Sequence, residues 1–257
     1  MEDESAFGAA YAIVRDLRVR CAWDRAQTPQ SLRPYLREEV AELEEALVEG
    51  DEARIASELG DLLLHFIFQV DLAAERGAFT LSDVTRALIA KMKRRHPHLY
   101  GDGAAEGWER QKIAERAEHA RAKGLESGVL GHLPPTLTEL DKAFRYQERA
   151  AAVGFDWDDL AGPLDKLEEE VHEARAQPQE EIGDVLFAAV NVARKAGVHP
   201  TAALETATNK FVMRFRMVEE LAAQRGIAVE TAGLEVLDGM WNEVKAAERS
   251  AQEQSAK

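Results

Sequence analysis

Two segments decide how this chain is read: Leu36 to Leu47, LREEVAELEEAL, and Leu167 to Gln177, LEEEVHEARAQ. Each spaces acidic and apolar residues three and four apart, so that on a helix the two kinds fall on separate faces. They correspond at an offset of 131 positions. The correspondence extends outward. SELGDLLLHF from Ser57 matches EEIGDVLFAA from Glu180 at an offset of 123. Lys91 and Arg95 in KMKRR match Lys210 and Arg214 in KFVMR, and Trp108 and Lys112 in WERQK match Trp241 and Lys245 in WNEVK. Four blocks recurring in one order, with offsets that drift as loops gain and lose residues, are the mark of a duplicated unit.

The interiors of the periodic segments are rich in Ala, Leu, Glu and Arg, and the eight prolines fall at their edges, which is helical composition. We expect an all-α protein made of tandem duplicated domains of four-helix-bundle type. Helices are expected over Ala9–Arg20, Leu36–Glu49, Glu52–Arg76, Leu81–Arg95 and Glu106–Lys123, then Thr136–Val153, Pro163–Ala176, Gln179–Ala196, Pro200–Ala223 and Leu234–Glu248. Three glycines and two prolines collect in Gly124–Pro135, which reads as a linker between domains 1–123 and 136–257.

A net charge of −15 repels a nucleic-acid backbone, so no polymer of that kind is an expected partner. A small polyanion remains compatible, because a metal ion held by carboxylates reverses the local field. The lone Cys21 forms no internal disulfide, and no Cys/His cluster offers a zinc site. The acidic start MEDESAFGAA and the polar interruptions His65, Gln69 and Asp71 in the longest apolar stretch argue against secretion and membrane insertion. A cytoplasmic location is expected.

The chemistry lies in paired carboxylates. On one helical face fall Glu39 with Glu42, Glu58 with Asp61, Glu170 with Glu173, and Glu181 with Asp184. Like charges at these spacings destabilise a helix unless something compensates, and magnesium, an ion of oxygen ligands, does so. A solitary EExxE is ordinarily a solvated surface. Here Asp61 and Asp184 stand inside apolar runs, where burial without a cation is costly, and Gly60 and Gly183 look like places where a neighbouring helix approaches closely.

The EExxE…ExxD pattern, as Glu38, Glu39, Glu42, Glu58, Asp61 and again as Glu169, Glu170, Glu173, Glu181, Asp184, resembles the MazG nucleoside triphosphate pyrophosphohydrolases. CAWDRAQT at Cys21, RRHPHLYG at Arg94 and VGFDW at Val153 are similar to further stretches of the two-domain members. The resemblance implies an all-α homodimer that uses Mg2+, with Mn2+ as a substitute, to hydrolyse a nucleoside triphosphate to monophosphate and pyrophosphate. It implies that Glu170, Glu173, Glu181 and Asp184 ligate metal and that Glu169 belongs to the catalytic set. Lys210, Arg214 and Trp241 fall on nucleotide-contacting positions, and Lys166 and Lys245 look like further contacts. Related phosphoribosyl-ATP and dUTP or dCTP hydrolases share the acidic pattern but not the tandem repeat, and a helical interaction module with a structural metal is the alternative outside enzymes. P-loop, GxSxG and HExxH motifs are missing.

The halves differ. Lys166 and Asn191, on the acidic face of the second half, correspond to Tyr35 and Phe68 in the first, so hydrolysis is expected mainly in the second. Sixteen positions separate Glu42 from Glu58 and only eight separate Glu173 from Glu181, which leaves substrate contacts from that turn in question.

Overall fold

In the computed structural model the described residues are 2–101, 115 and 128–255, and every regular element among them is a helix. The chain divides into two compact units, Met1–Ala105 and Glu106–Lys257. Trp108, Lys112 and nearly all of the helix expected over Glu106–Lys123 lie outside the described residues, as does the start of the expected linker.

The first unit holds α1 (Glu2–Arg20), α2 (Ala22–Ala26), α3 (Arg33–Glu49), α4 (Glu52–Glu75), α5 (Leu81–Arg95) and α6 (Pro97–Tyr100). Its centre is the α3–α4 hairpin. Gly50 ends α3 in the left-handed conformation that glycine adopts without strain. Asp51 starts α4 by accepting hydrogen bonds from the backbone N–H groups of Ala53 and Arg54. The apolar face of α4 then meets α1, and Val14, Leu32, Ile67, Phe68 and Leu72 form the core. Each of these side chains contributes about 1.5–3 kcal/mol by leaving water.

The second unit holds α7 (Glu139–Ala151), α8 (Ala161–Ala176), α9 (Pro178–Lys195), α10 (Pro200–Gln224) and α11 (Leu234–Ser255). Here the α8–α9 hairpin repeats α3–α4. Gln177 alone separates the two helices, and Pro178 occupies the first position of α9, where its missing N–H goes unneeded. A second core, Val218, Ala222, Met240 and Val244, joins α10 to α11.

The hairpin resolves the difference in spacing. Glu42 and Glu58 stand about two turns from the tip between α3 and α4, whereas Glu173 and Glu181 stand about one turn from the tip at Gln177. The shorter connection has lost roughly one turn from each arm, and the acidic faces still meet.

Two expectations are corrected. A Cβ on Gly60 or Gly183 would meet nothing within 4 Å, so neither glycine admits a neighbouring helix within its unit. Asp184 is exposed and Asp61 half-buried. The apolar residues flanking Asp184 are themselves uncovered, with Ile182 53% and Leu186 58% exposed. An apolar run implies burial only where another element covers it.

Candidate active site

In the second unit α8 and α9 bring Glu170, Glu173 and Glu181 together, each offering one carboxylate oxygen within 4.8 Å of the others. Glu170 is buried, Glu181 half-buried and Glu173 exposed. Burial, and then the negative charges of Glu173, Asp184, Glu170 and Glu180, hold the Glu181 carboxyl above its ordinary pKa. Asp184 lies outside the convergent three yet contributes to this field. Carboxylates gathered this closely have the charge and the donor atoms a hard divalent cation requires.

Lys166, one turn before Glu170, sets its ammonium 2.8 Å from Glu169 Oε1 and 2.7 Å from Glu170 Oε1. Those two hydrogen bonds raise the lysine's proton affinity. Lys166 and Glu169 therefore stand at the edge of the carboxylate group. Asn191 is engaged elsewhere: its Oδ1 accepts from Arg194 Nε at 2.9 Å. Arg194 and Lys195 in turn pair with Asp156 of the VGFDW segment, at 2.5 Å and 3.3 Å, which holds the Asp156 carboxyl below its ordinary pKa. The sequence signals Asp156 through that segment but not its partners.

The remaining expected contacts form a second group on α10 and α11. Arg214 pairs with Glu248 through Nε at 2.8 Å and its terminal nitrogen at 2.7 Å. Its guanidinium lies 5.9 Å from the Trp241 ring centroid, within cation–π range. Lys210 adds positive charge near Glu248. Trp241 packs against the α10–α11 core and Phe211, and Lys245 follows one turn later, half-buried. Glu248, unremarked in the sequence, is the carboxylate that anchors Arg214. Among the described residues no hydrogen bond or ion pair joins it to the carboxylates of α8 and α9.

The first unit repeats the acidic arrangement. Glu39, Glu58 and Asp61 offer oxygens within 4.8 Å of one another, and Glu58 is buried. Burial, with the charges of Asp61, Glu42, Glu58 and Glu38, raises the Glu39 carboxyl. Tyr35 stands where the second unit has Lys166, with its ring against Trp23 at 6.0 Å. Sequence reading missed His65, whose Nε2 lies 4.0 Å from Glu39 Oε1.

Residues 27–100 match the MazG nucleotide pyrophosphohydrolase domain. A nucleoside triphosphate pyrophosphohydrolase/pyrophosphatase of Thermotoga maritima is 42% identical over 230 residues, which cover 88% of this chain and 89% of that one. A nucleoside triphosphate pyrophosphohydrolase of Escherichia coli K12 is 38% identical over 249 residues, 90% of this chain and 93% of that one. An uncharacterised protein of Bacillus subtilis is 38% identical over 263 residues, 95% of this chain and 52% of that one.

Proposed function

The chain belongs to the MazG family of nucleotide pyrophosphohydrolases, and from that premise we propose that its second unit hydrolyses nucleoside triphosphates to monophosphate and pyrophosphate with Mg2+, for which Mn2+ substitutes. The observation that carries this reading is the convergence of Glu170, Glu173 and Glu181 beside the Lys166 ammonium. Glu170, Glu173, Glu181 and Asp184 would hold the ion. When bound, it spreads positive charge over phosphate oxygens and makes the attacking water more acidic.

The chain's own residues supply the rest. Lys166 is already oriented along the carboxylate face and exchanges Glu169 and Glu170 for a phosphate oxygen. Arg214 and Lys210 bring a guanidinium fork and a second cation suited to a polyphosphate, and Trp241 offers an aromatic face for the nucleoside. Lys245 and Asn191 complete the proposed contacts, Asn191 by turning its amide from Arg194. Attack at the α-phosphorus expels pyrophosphate.

A homodimer fits the exposed apolar residues of α9, Ile182, Leu186 and Phe187, since a face of that kind beside an active site calls for a covering surface. No helix among the described residues is long and apolar enough to cross a membrane, and we place the enzyme in the cytoplasm, acting on free nucleotides rather than nucleic acid. The first unit retains a carboxylate cluster but has Tyr35 for Lys166, and we assign it no more than a minor part in turnover.

The test is product analysis with a panel of nucleoside triphosphates, together with Glu42→Ala and Glu173→Ala made separately. Monophosphate and pyrophosphate should appear, and only the second substitution should abolish them. Release of diphosphate and inorganic phosphate, or loss of turnover only in Glu42→Ala, overturns the assignment.

A further inference from the structure

Among the described residues Glu248 is the sole carboxylate paired with Arg214, and the manner of the pairing is informative. Lys210 and Arg214 lie one turn apart on α10, while Trp241, Lys245 and Glu248 follow one another at spacings of four and three on α11, so each group shares a helical stripe. Arg214 Nε donates to Glu248 Oε2 at 2.8 Å, and Nη2 lies 2.7 Å from the same oxygen. One side of the guanidinium is thereby taken. Its outer edge, where Nη1 and Nη2 present parallel N–H groups, is left for a bidentate acceptor such as a phosphate. Trp241, packed against the α10–α11 core, bounds the guanidinium at 5.9 Å.

We propose that Glu248 is a positioning residue for hydrolysis: it fixes the Arg214 fork so that the free edge of the guanidinium meets a phosphate of the bound nucleoside triphosphate. The inference deepens the proposed function and rests on its reading of Arg214 as a phosphate contact. A long side chain left free must be ordered when substrate binds, whereas one already held loses less. The side chains of Arg214 and Glu248 are 21% and 23% exposed, so the pair is sheltered from much of the solvent that screens a surface ion pair. The hydrogen bond from Arg214 holds the Glu248 carboxyl below its ordinary pKa, and Glu248 stays ionised at neutral pH.

Charge attraction alone gives no reason for a carboxylate at this point, because Glu248 cancels part of the positive charge that a polyphosphate seeks. A residue that weakens attraction yet grips the arginine along one side is explained by orientation. The repeat carries it too. Glu115 follows Trp108 and Lys112 as Glu248 follows Trp241 and Lys245, all at an offset of 133, with Arg95 in the place of Arg214. The glutamate thus belongs to the duplicated pattern.

The test is a double-mutant cycle on the full chain with Mg2+ and ATP, measuring kcat and KM for pyrophosphate release, in single-turnover format where a variant is slow. Glu248→Ala should lower kcat roughly 10–100-fold. KM should stay level or fall, since a negative charge has left the neighbourhood of the polyphosphate. Glu248→Gln, which keeps an acceptor oxygen, should recover part of the loss. In an Arg214→Ala background Glu248→Ala should cost less than about twofold, because the side chain it orients is gone. Wild-type kcat in Glu248→Ala, or a full-sized loss in the Arg214→Ala background, overturns the inference. So does a rise in kcat, which would make the carboxylate a latch that withholds the arginine. Wild-type turnover in Arg214→Ala overturns the reading of Arg214 and the inference together, whereas impaired Arg214→Ala beside unimpaired Glu248→Ala overturns the inference alone. Should Glu248→Ala fail to fold by circular dichroism, the same cycle run with Glu248→Gln decides.

Discussion

Glu58→Gln should make the metal-free protein more stable while diminishing its response to cations. Glu58 is buried and has Glu39 and Asp61 as neighbours within 4.8 Å. Two unit charges at that separation repel by about 3.5 kcal/mol at an effective dielectric of 20 and about 0.9 kcal/mol in bulk water. Glu39 and Asp61 are half-buried, so solvent screens much of this and a net gain of roughly 1–2 kcal/mol is expected from an isosteric neutral amide. For a chain of this size that is a rise in Tm of roughly 2–8 °C. The pH dependence has a definite sign. Glu39 is held above its ordinary value of 4.5, so it binds its proton more tightly folded than unfolded. The associated stability is present below about 4.5 and is lost as pH rises through the raised value. The gain from Glu58→Gln should accordingly be small near pH 4.5 and grow towards neutrality. Differential scanning calorimetry of chelator-treated protein across that range measures it, and repetition with Mn2+ shows whether the ligand-induced rise in Tm survives. A lower Tm in the variant at neutral pH, or an undiminished response to Mn2+, would refute mutual repulsion as the force shaping the cluster.

Asp184→Ala should abolish Mg2+-dependent pyrophosphate release yet keep its helical circular dichroism, since Asp184 is exposed and its removal leaves no cavity; wild-type turnover in a folded variant would remove it from the site. Gly162→Ala would place a Cβ 2.0 Å from Trp157 Cδ1, so the indole must move; tryptophan fluorescence should shift and stability fall by about 1–3 kcal/mol, whereas an unchanged spectrum would mean that the ring does not rest on this glycine. Light scattering should return twice the 28.5 kDa chain mass, and a stable monomer at working concentration would require another cover for Ile182, Leu186 and Phe187.

The helices were legible because their period is long and repeated. The boundaries of α5 coincide with the expected Leu81–Arg95, where Thr80 and Asp83 form a capping box. The short α2 and α6 escaped notice, since five and four residues show no periodicity. At the site, the i and i+3 spacing revealed which carboxylates share a face of a helix, but pairing across two helices depends on where the hairpin turns. For that reason Glu170, Glu173 and Glu181 converge while Asp184, equally prominent in the sequence, remains at the margin. His65 was hidden by its setting: one histidine within an apolar run ordinarily signifies a packed ring, and only the carboxylate on the facing helix gives it another meaning.

The duplicated hairpins show what such a site tolerates. An α-helix advances 100° per residue, so taking four residues from an arm turns the remaining side chains by 400°, a residual rotation of about 40°. Taking two would turn them by 200°, to the opposite face. The eight positions by which the second connection is shorter divide as four from the first arm, three from the second and one from the turn, and a loss of three or four residues leaves both acidic faces within about 60° of their direction. The turns themselves are free to differ: Gly50 and Asp51 cap one hairpin, and Gln177 and Pro178 close the other. Helical phase thus preserves the carboxylates through changes of length, while residues such as Lys166 against Tyr35, or Ala188 against His65, lie outside that constraint. In these neighbours the two units have separated, one cluster paired with a lysine at the proposed catalytic site and the other set beside a buried imidazole.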